Sequence, residues 1–114
     1  MITLEALAAY GADTKAGLAR CMNNEGFYLR LVNMELADEN FIRLREAMEA
    51  GDARAAFEAA HALKGAVGNL ALTPIYDPVS RLTELLRSAD TVSDPEGLLS
   101  AVLKACEELK ALAE

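Results

Sequence analysis

The chain of 114 residues is 53% hydrophobic and carries a formal net charge of −7. That length suits one domain with a single core and is too short for an ATP-binding catalytic domain besides. The acidic balance argues against nucleic acid and anionic membranes as partners, because both require basic surfaces. Alanine and leucine dominate, Trp is absent and β-branched residues are few, which reads as all-α.

Caps and glycines divide the chain into helices. A short helix is expected around Thr3–Tyr10, stopping at Gly11, and a second, capped by Asp13, runs to about Cys21. Asn23 or Asn24 opens a segment rich in large apolar residues (Phe27, Tyr28, Leu31, Val32, Met34). It continues, with a break near Asp38, through Phe41, Ile42, Leu44 and Met48 to Gly51. Gly51-Asp52 ends one helix and caps the next. The Asp52–Leu70 helix then carries Ala56, Ala60, Leu63, Val67 and Leu70 as its buried stripe. Thr73-Pro74 reads as a cap with proline in the first turn. Pro78 would remove a hydrogen bond inside that helix, which predicts a bend or a restart capped by Asp77. Its apolar stripe is Ile75, Val79, Leu82 and Leu86. Ser93-Asp94-Pro95-Glu96 has the form of a capping box, and the last helix turns Leu99, Val102, Cys106 and Leu109 inward.

Four long amphipathic helices with short loops predict an antiparallel up-down four-helix bundle. The expected fold is thus all-α, a single domain over residues 1–114, with short additional N-terminal helices in about 3–21 and the bundle in about 24–113. No apolar run approaches the ~20 residues that span a membrane, and Glu5 with no basic leader argues against a signal peptide. Cys21 and Cys106 are far apart, each on an apolar helical stretch, and read as buried thiols of a reducing cytosol. The expected location is cytoplasmic.

The chemistry concentrates in His61-Ala62-Leu63-Lys64-Gly65-Ala66-Val67-Gly68-Asn69-Leu70, which holds the only histidine. On a helix turning ~100° per residue, positions 61, 64, 65 and 68 share one side. His61 lies about 100° round from the Ala60/Leu63/Val67 stripe, at the edge of burial, where one ring nitrogen can be anchored and the other presented to solvent. A lone histidine on a helix is ordinarily structural or merely exposed, and Lys64 alone reads as solvated surface. Gly65 and Gly68, however, each cost about 1 kcal/mol relative to alanine. Two on one face imply close approach, by another helix of the bundle or by another molecule. Glycine, histidine and lysine make a poor seam for a water-excluding core, which favours the docking molecule. Beside His61, the charge of Lys64 can stabilise a phosphoryl group, which carries nearly two negative charges.

Other chemistry is weakly supported. One histidine and two distant cysteines cannot supply a zinc site, and no glycine-rich phosphate loop lies between a strand and a helix. A Cys–His nucleophile pair has no spacing in its favour.

His61-Ala62-Leu63-Lys64-Gly65, followed by Gly68 and Leu70, resembles the signature of histidine-containing phosphotransfer (HPt) domains. The Gly51-Asp52, Phe57 and Ala60 approach and the Asn24–Leu31 segment are also similar to that family, so the resemblance runs from about Asp13 to the last helix. Asp77-Pro78 departs from it. The resemblance implies a four-helix bundle, His61 as the phosphorylated residue, Lys64 as its charge partner, and room at Gly65 and Gly68 for a partner's active site. The implied function is that of a free-standing phosphorelay carrier in two-component signalling rather than an enzyme with its own kinase activity. His61 would accept a phosphoryl group from a receiver-domain aspartate, within a hybrid sensor histidine kinase, and pass it to the aspartate of a response regulator. No cofactor of its own is implied; Mg²⁺ belongs to the receiver. Ser80 and Thr83, on one face of the next helix, are candidates to orient the inner ring nitrogen. A non-catalytic helical adaptor using the same face is the alternative; a small hydrolase would need a second catalytic group near His61.

Overall fold

Short polar side chains start the first helices. In the computed structural model, which describes residues 1–114, Thr3 accepts from the Ala6 amide to open α1 (Leu4–Tyr10) and Asp13 accepts from the Ala16 amide to open α2 (Thr14–Arg20). Asn24 caps α3 (Glu25–Glu35) through the Phe27 amide. The expected break follows at residues 36–39, where Asp38 Oδ1 accepts from the Asn40 amide at 2.8 Å, so α4 (Asn40–Ala50) is a separate helix. Gly51, at φ +73°, closes α4 in the left-handed region that glycine tolerates, and Asp52 at once caps α5 (Ala53–Asn69). Two further helices complete the chain: α6 (Thr73–Leu86) and α7 (Leu98–Ala111).

Alanine decides how α5 sits. Ala56, Ala59 and Ala60 are buried beside Leu63 and Val67, and their small size lets α4 and α6 approach it from either side. Helices α4 to α7 pack in chain order, α4 on α5, α5 on α6 and α6 on α7, as an up-down four-helix bundle. The stripe Ile75, Val79, Leu82 and Leu86 of α6 and Val102, Cys106 and Leu109 of α7 fill one core, which Tyr28 and Val32 of α3 also enter. The molecule measures 42 × 26 × 21 Å.

The N-terminal helices are tied to the bundle by specific bonds. Tyr10 donates its hydroxyl to the Ala105 carbonyl at 2.7 Å, and Arg20 Nη1 donates to the Gly68 carbonyl at 2.7 Å. Cys21 and Cys106 are free and buried. No helix is long and apolar enough to cross a membrane.

Three local expectations are corrected. Thr73 is not a cap but the first residue of α6, and no side chain bonds the helix start at Leu72. The helix also continues through Pro78 without restarting at Asp77. An interior proline costs about 3 kcal/mol, whereas fully burying four large aliphatic side chains contributes ~1.5–3 kcal/mol each; the stripe wins. Finally, α7 is opened neither by Ser93 nor by a capping-box Glu96. Gly97, at φ +69°, turns the chain so that the two carboxylate oxygens of Asp94 accept from the Leu98 and Leu99 amides at 2.6 and 2.9 Å. Glu96 instead pairs with Arg81, and Leu98, rather than Leu99, is the fully buried residue of that turn.

Candidate functional site

His61 stands midway along α5, one residue past the fully buried Ala60. A 100° step round the helix from Ala60 carries its ring out of the core, so it is more exposed than an edge position requires. No hydrogen bond holds either ring nitrogen. Its orientation comes from Phe57, one turn earlier on the same face, whose ring is stacked on the imidazole at 5.6 Å between centroids and 15° between planes. The Arg87 guanidinium lies 5.2 Å from the centroid of the Phe57 ring, a cation–π contact brought from the end of α6.

Lys64, one turn after His61, is half-buried, with its Nζ 3.9 Å from Glu84 Oε1. Glu84 also takes two bonds from Arg87, Nη2 to Oε1 at 3.1 Å and Nε to Oε2 at 3.2 Å. These cations, Arg87 first and Lys64 after it, hold the Glu84 carboxyl below the usual carboxylate range, and Glu84 in turn raises the Arg87 guanidinium. The face around His61 therefore carries two cations bridged by one carboxylate from the neighbouring helix.

The two glycines differ. A Cβ built at Gly65 would meet nothing within 4 Å, whereas one at Gly68 would lie 2.8 Å from Cε1 of Tyr76. The expectation that both leave room for a partner holds only in geometry at Gly65; Gly68 is covered by the Tyr76 ring of α6. Both line a cleft of about 550 Å³ with Arg20, Asn69, Thr73 and Tyr76. Arg20 closes one end, its Nη1 bonding the Gly68 and Asn69 carbonyls at 2.7 and 3.4 Å, where a cation complements the C-terminus of α5.

Ser80 and Thr83 do not join this group. Thr83 is completely buried and donates its hydroxyl to the Val79 carbonyl at 2.7 Å, one turn back on its own helix. Ser80 makes no hydrogen bond to His61. A short hydroxyl beside a carbonyl four residues earlier satisfies itself locally. The sequence reading missed the electrostatic roles of Glu84 and Arg87 and the cover that Tyr76 provides. Only Phe57 left a signal, four residues before His61 and hence on its face. No group of three or more His, Cys, Asp or Glu side chains gathers where a metal ion could be held.

What this face can do chemically follows from its parts: a solvent-facing imidazole, flanking positive charge, and an open approach over Gly65. Neither a curated protein nor a solved structure matches the chain. The Hpt domain family model matches residues 32–112, from within α3 into the turn that ends α7. The chain belongs to the Hpt domain family.

Proposed function

We propose that this protein is a cytoplasmic phosphorelay carrier in which His61 receives a phosphoryl group from a receiver-domain aspartate and passes it to the aspartate of a second receiver, a response regulator. Hpt domains serve as histidine phosphocarriers that work with receiver domains and histidine kinases. The observation that carries the assignment to His61 is its exposure midway along α5 with open space over Gly65.

In the loading step a lone pair on a neutral imidazole nitrogen attacks phosphorus. The N–P bond forms as the aspartyl O–P bond breaks, and the carboxylate leaves with that bonding pair. Unloading reverses this on the second receiver. In-line transfer asks little of the carrier beyond position and charge neutralisation. Phe57 supplies the first by stacking on the ring, and Lys64 contributes to the second. Mg²⁺ and its acidic ligands are the receiver's contribution. Docking is over Gly65, which faces open space, and the adjoining cleft.

Incubation with a phosphorylated receiver is expected to give an acid-labile, alkali-stable label that His61→Gln abolishes without loss of helicity. ATP alone is expected to label nothing. Label persisting in His61→Gln would overturn the assignment; absence of any label with every receiver of the source cell would leave the adaptor reading in its place.

A further inference from the structure

Glu84 is the charged group near His61 that the transfer chemistry leaves without a role. It comes from α6, and its carboxylate bonds Arg87 through both oxygens while lying 3.9 Å from Lys64. Lys64 and His61 are i, i+3 neighbours, about 5–6 Å apart at Cβ. The ammonium that must face a phosphoryl group on His61 is therefore held, in the bare protein, by a carboxylate from another helix. Arg87 also lies over the Phe57 ring, which is itself stacked on His61.

We infer that Glu84 is a displaceable counter-ion, which holds Lys64 and Arg87 while His61 is bare and yields them when His61 is loaded. The inference rests on His61 being the phosphoryl carrier and makes Glu84 a positioning residue that acts through the two cations. The competition favours the phosphoryl group. The Lys64 and Glu84 side chains are 28% and 58% exposed, and an ion pair of that kind is weak. A phosphoryl group offers nearly two negative charges and three acceptor oxygens to the same cations. Glu84 makes and breaks no covalent bond in the exchange; it trades cation partners for water while the N–P bond forms and the donor's O–P bond breaks.

The direction of the effect follows. Breaking these pairs disfavours the loaded state, so Glu84 keeps the phosphoryl group transferable. Removing its charge frees both cations in advance and makes His61 hold the group more strongly.

The test uses the full chain, with phosphoramidate as a partner-independent N–P donor and a receiver domain that exchanges with the parent protein. Glu84→Gln is expected to shift the exchange equilibrium toward phosphorylated His61 by about two- to five-fold, the scale of an exposed ion pair. The shift is expected to shrink at high salt. It is also expected to vanish largely when Glu84→Gln is made in a Lys64→Met/Arg87→Met background, since a charge acting through those cations has nothing left to act on. Thermal melts of each variant check that the fold is kept. Two results on a parent that loads normally would overturn the inference and spare the carrier reading: an unchanged equilibrium in Glu84→Gln, or a shift of full size without the cations. A parent that takes no label at His61 from either donor would overturn the carrier reading and this inference with it.

Discussion

A missing side chain has opposite meanings at positions 65 and 68. Gly65 faces open space, so Gly65→Gln replaces a poor helix former with a good one and is expected to hold or raise stability by up to about 1 kcal/mol. The new side chain projects over the approach to His61, and transfer is expected to collapse. Gly68→Ala instead drives a methyl group into the Tyr76 ring. Overpacking costs ~1–3 kcal/mol and the helix gain returns about 1, so a net loss of about 1 kcal/mol is expected. Thermal melts paired with quench-flow transfer rates separate the two cases. Lys64 is the other residue whose role is measurable. Its removal takes one cation from a solvent-facing site, where screening weakens what a closed site would gain. Lys64→Ala is expected to slow transfer roughly ten-fold at low salt and Lys64→Arg to keep most of it, with little change in stability because the Glu84 pair is long, at 3.9 Å, and partly exposed. Unchanged rates in Lys64→Ala would make it ordinary surface. His61, Lys64 and Gly65 were legible in the sequence because residues three and four apart on one helix are neighbours by geometry alone. Tyr76 over Gly68, and Glu84 beside Lys64, were not, because those contacts join two helices whose relative rotation is set by the core.

At the scale of elements, the helices with an apolar stripe and a polar cap were legible, down to Asp13 and Asp52 as caps, Asn24 as one of two candidates, and the break at Asp38. The starts of α6 and α7 were not, for different reasons. At α7 the capping carboxylate of Asp94 reaches forward across Gly97, and only the backbone conformation there selects Asp94 over Ser93. At α6 a local rule, that proline interrupts a helix, yields to the burial of four aliphatic side chains on the opposite account. That resolution makes a prediction. Pro78→Ala restores an amide to an intact helix, worth up to about 3 kcal/mol, less roughly 1 kcal/mol for the greater freedom of the unfolded chain. The variant is expected to be more stable by about 1–2 kcal/mol in urea melts; a destabilised variant would show that α6 depends on the ring of Pro78 for packing.

For the molecule as a whole, a group that ties stability to pH is Glu35, buried at the end of α3 with Oε2 lacking a hydrogen-bond partner. Burial first, and the neighbouring Asp38 carboxyl second, push it from an ordinary 4.5 up to about 8. The folded chain therefore holds a proton that the unfolded chain releases between those values. This contribution to stability is complete below about 4.5 and is lost as pH rises toward about 8. Glu35→Gln is neutral at every pH, so it is expected to match the parent near pH 5 and to exceed it in melting temperature near pH 9. Parallel curves for the two proteins across that range would show that Glu35 carries no such proton.

For the proposed carrier role, the placement of His61 midway along one face of a single bundle has a kinetic consequence. One imbalance in partner concentration suffices to stall the relay, because a ring that only one protein can cover forces donor and acceptor to take turns. The carrier must let go of the first before meeting the second. Turnover with both receivers present is then of the ping-pong type, and an excess of bare acceptor inhibits by occupying carrier that has nothing to give. Throughput is set by how quickly each encounter ends as much as by the transfer itself.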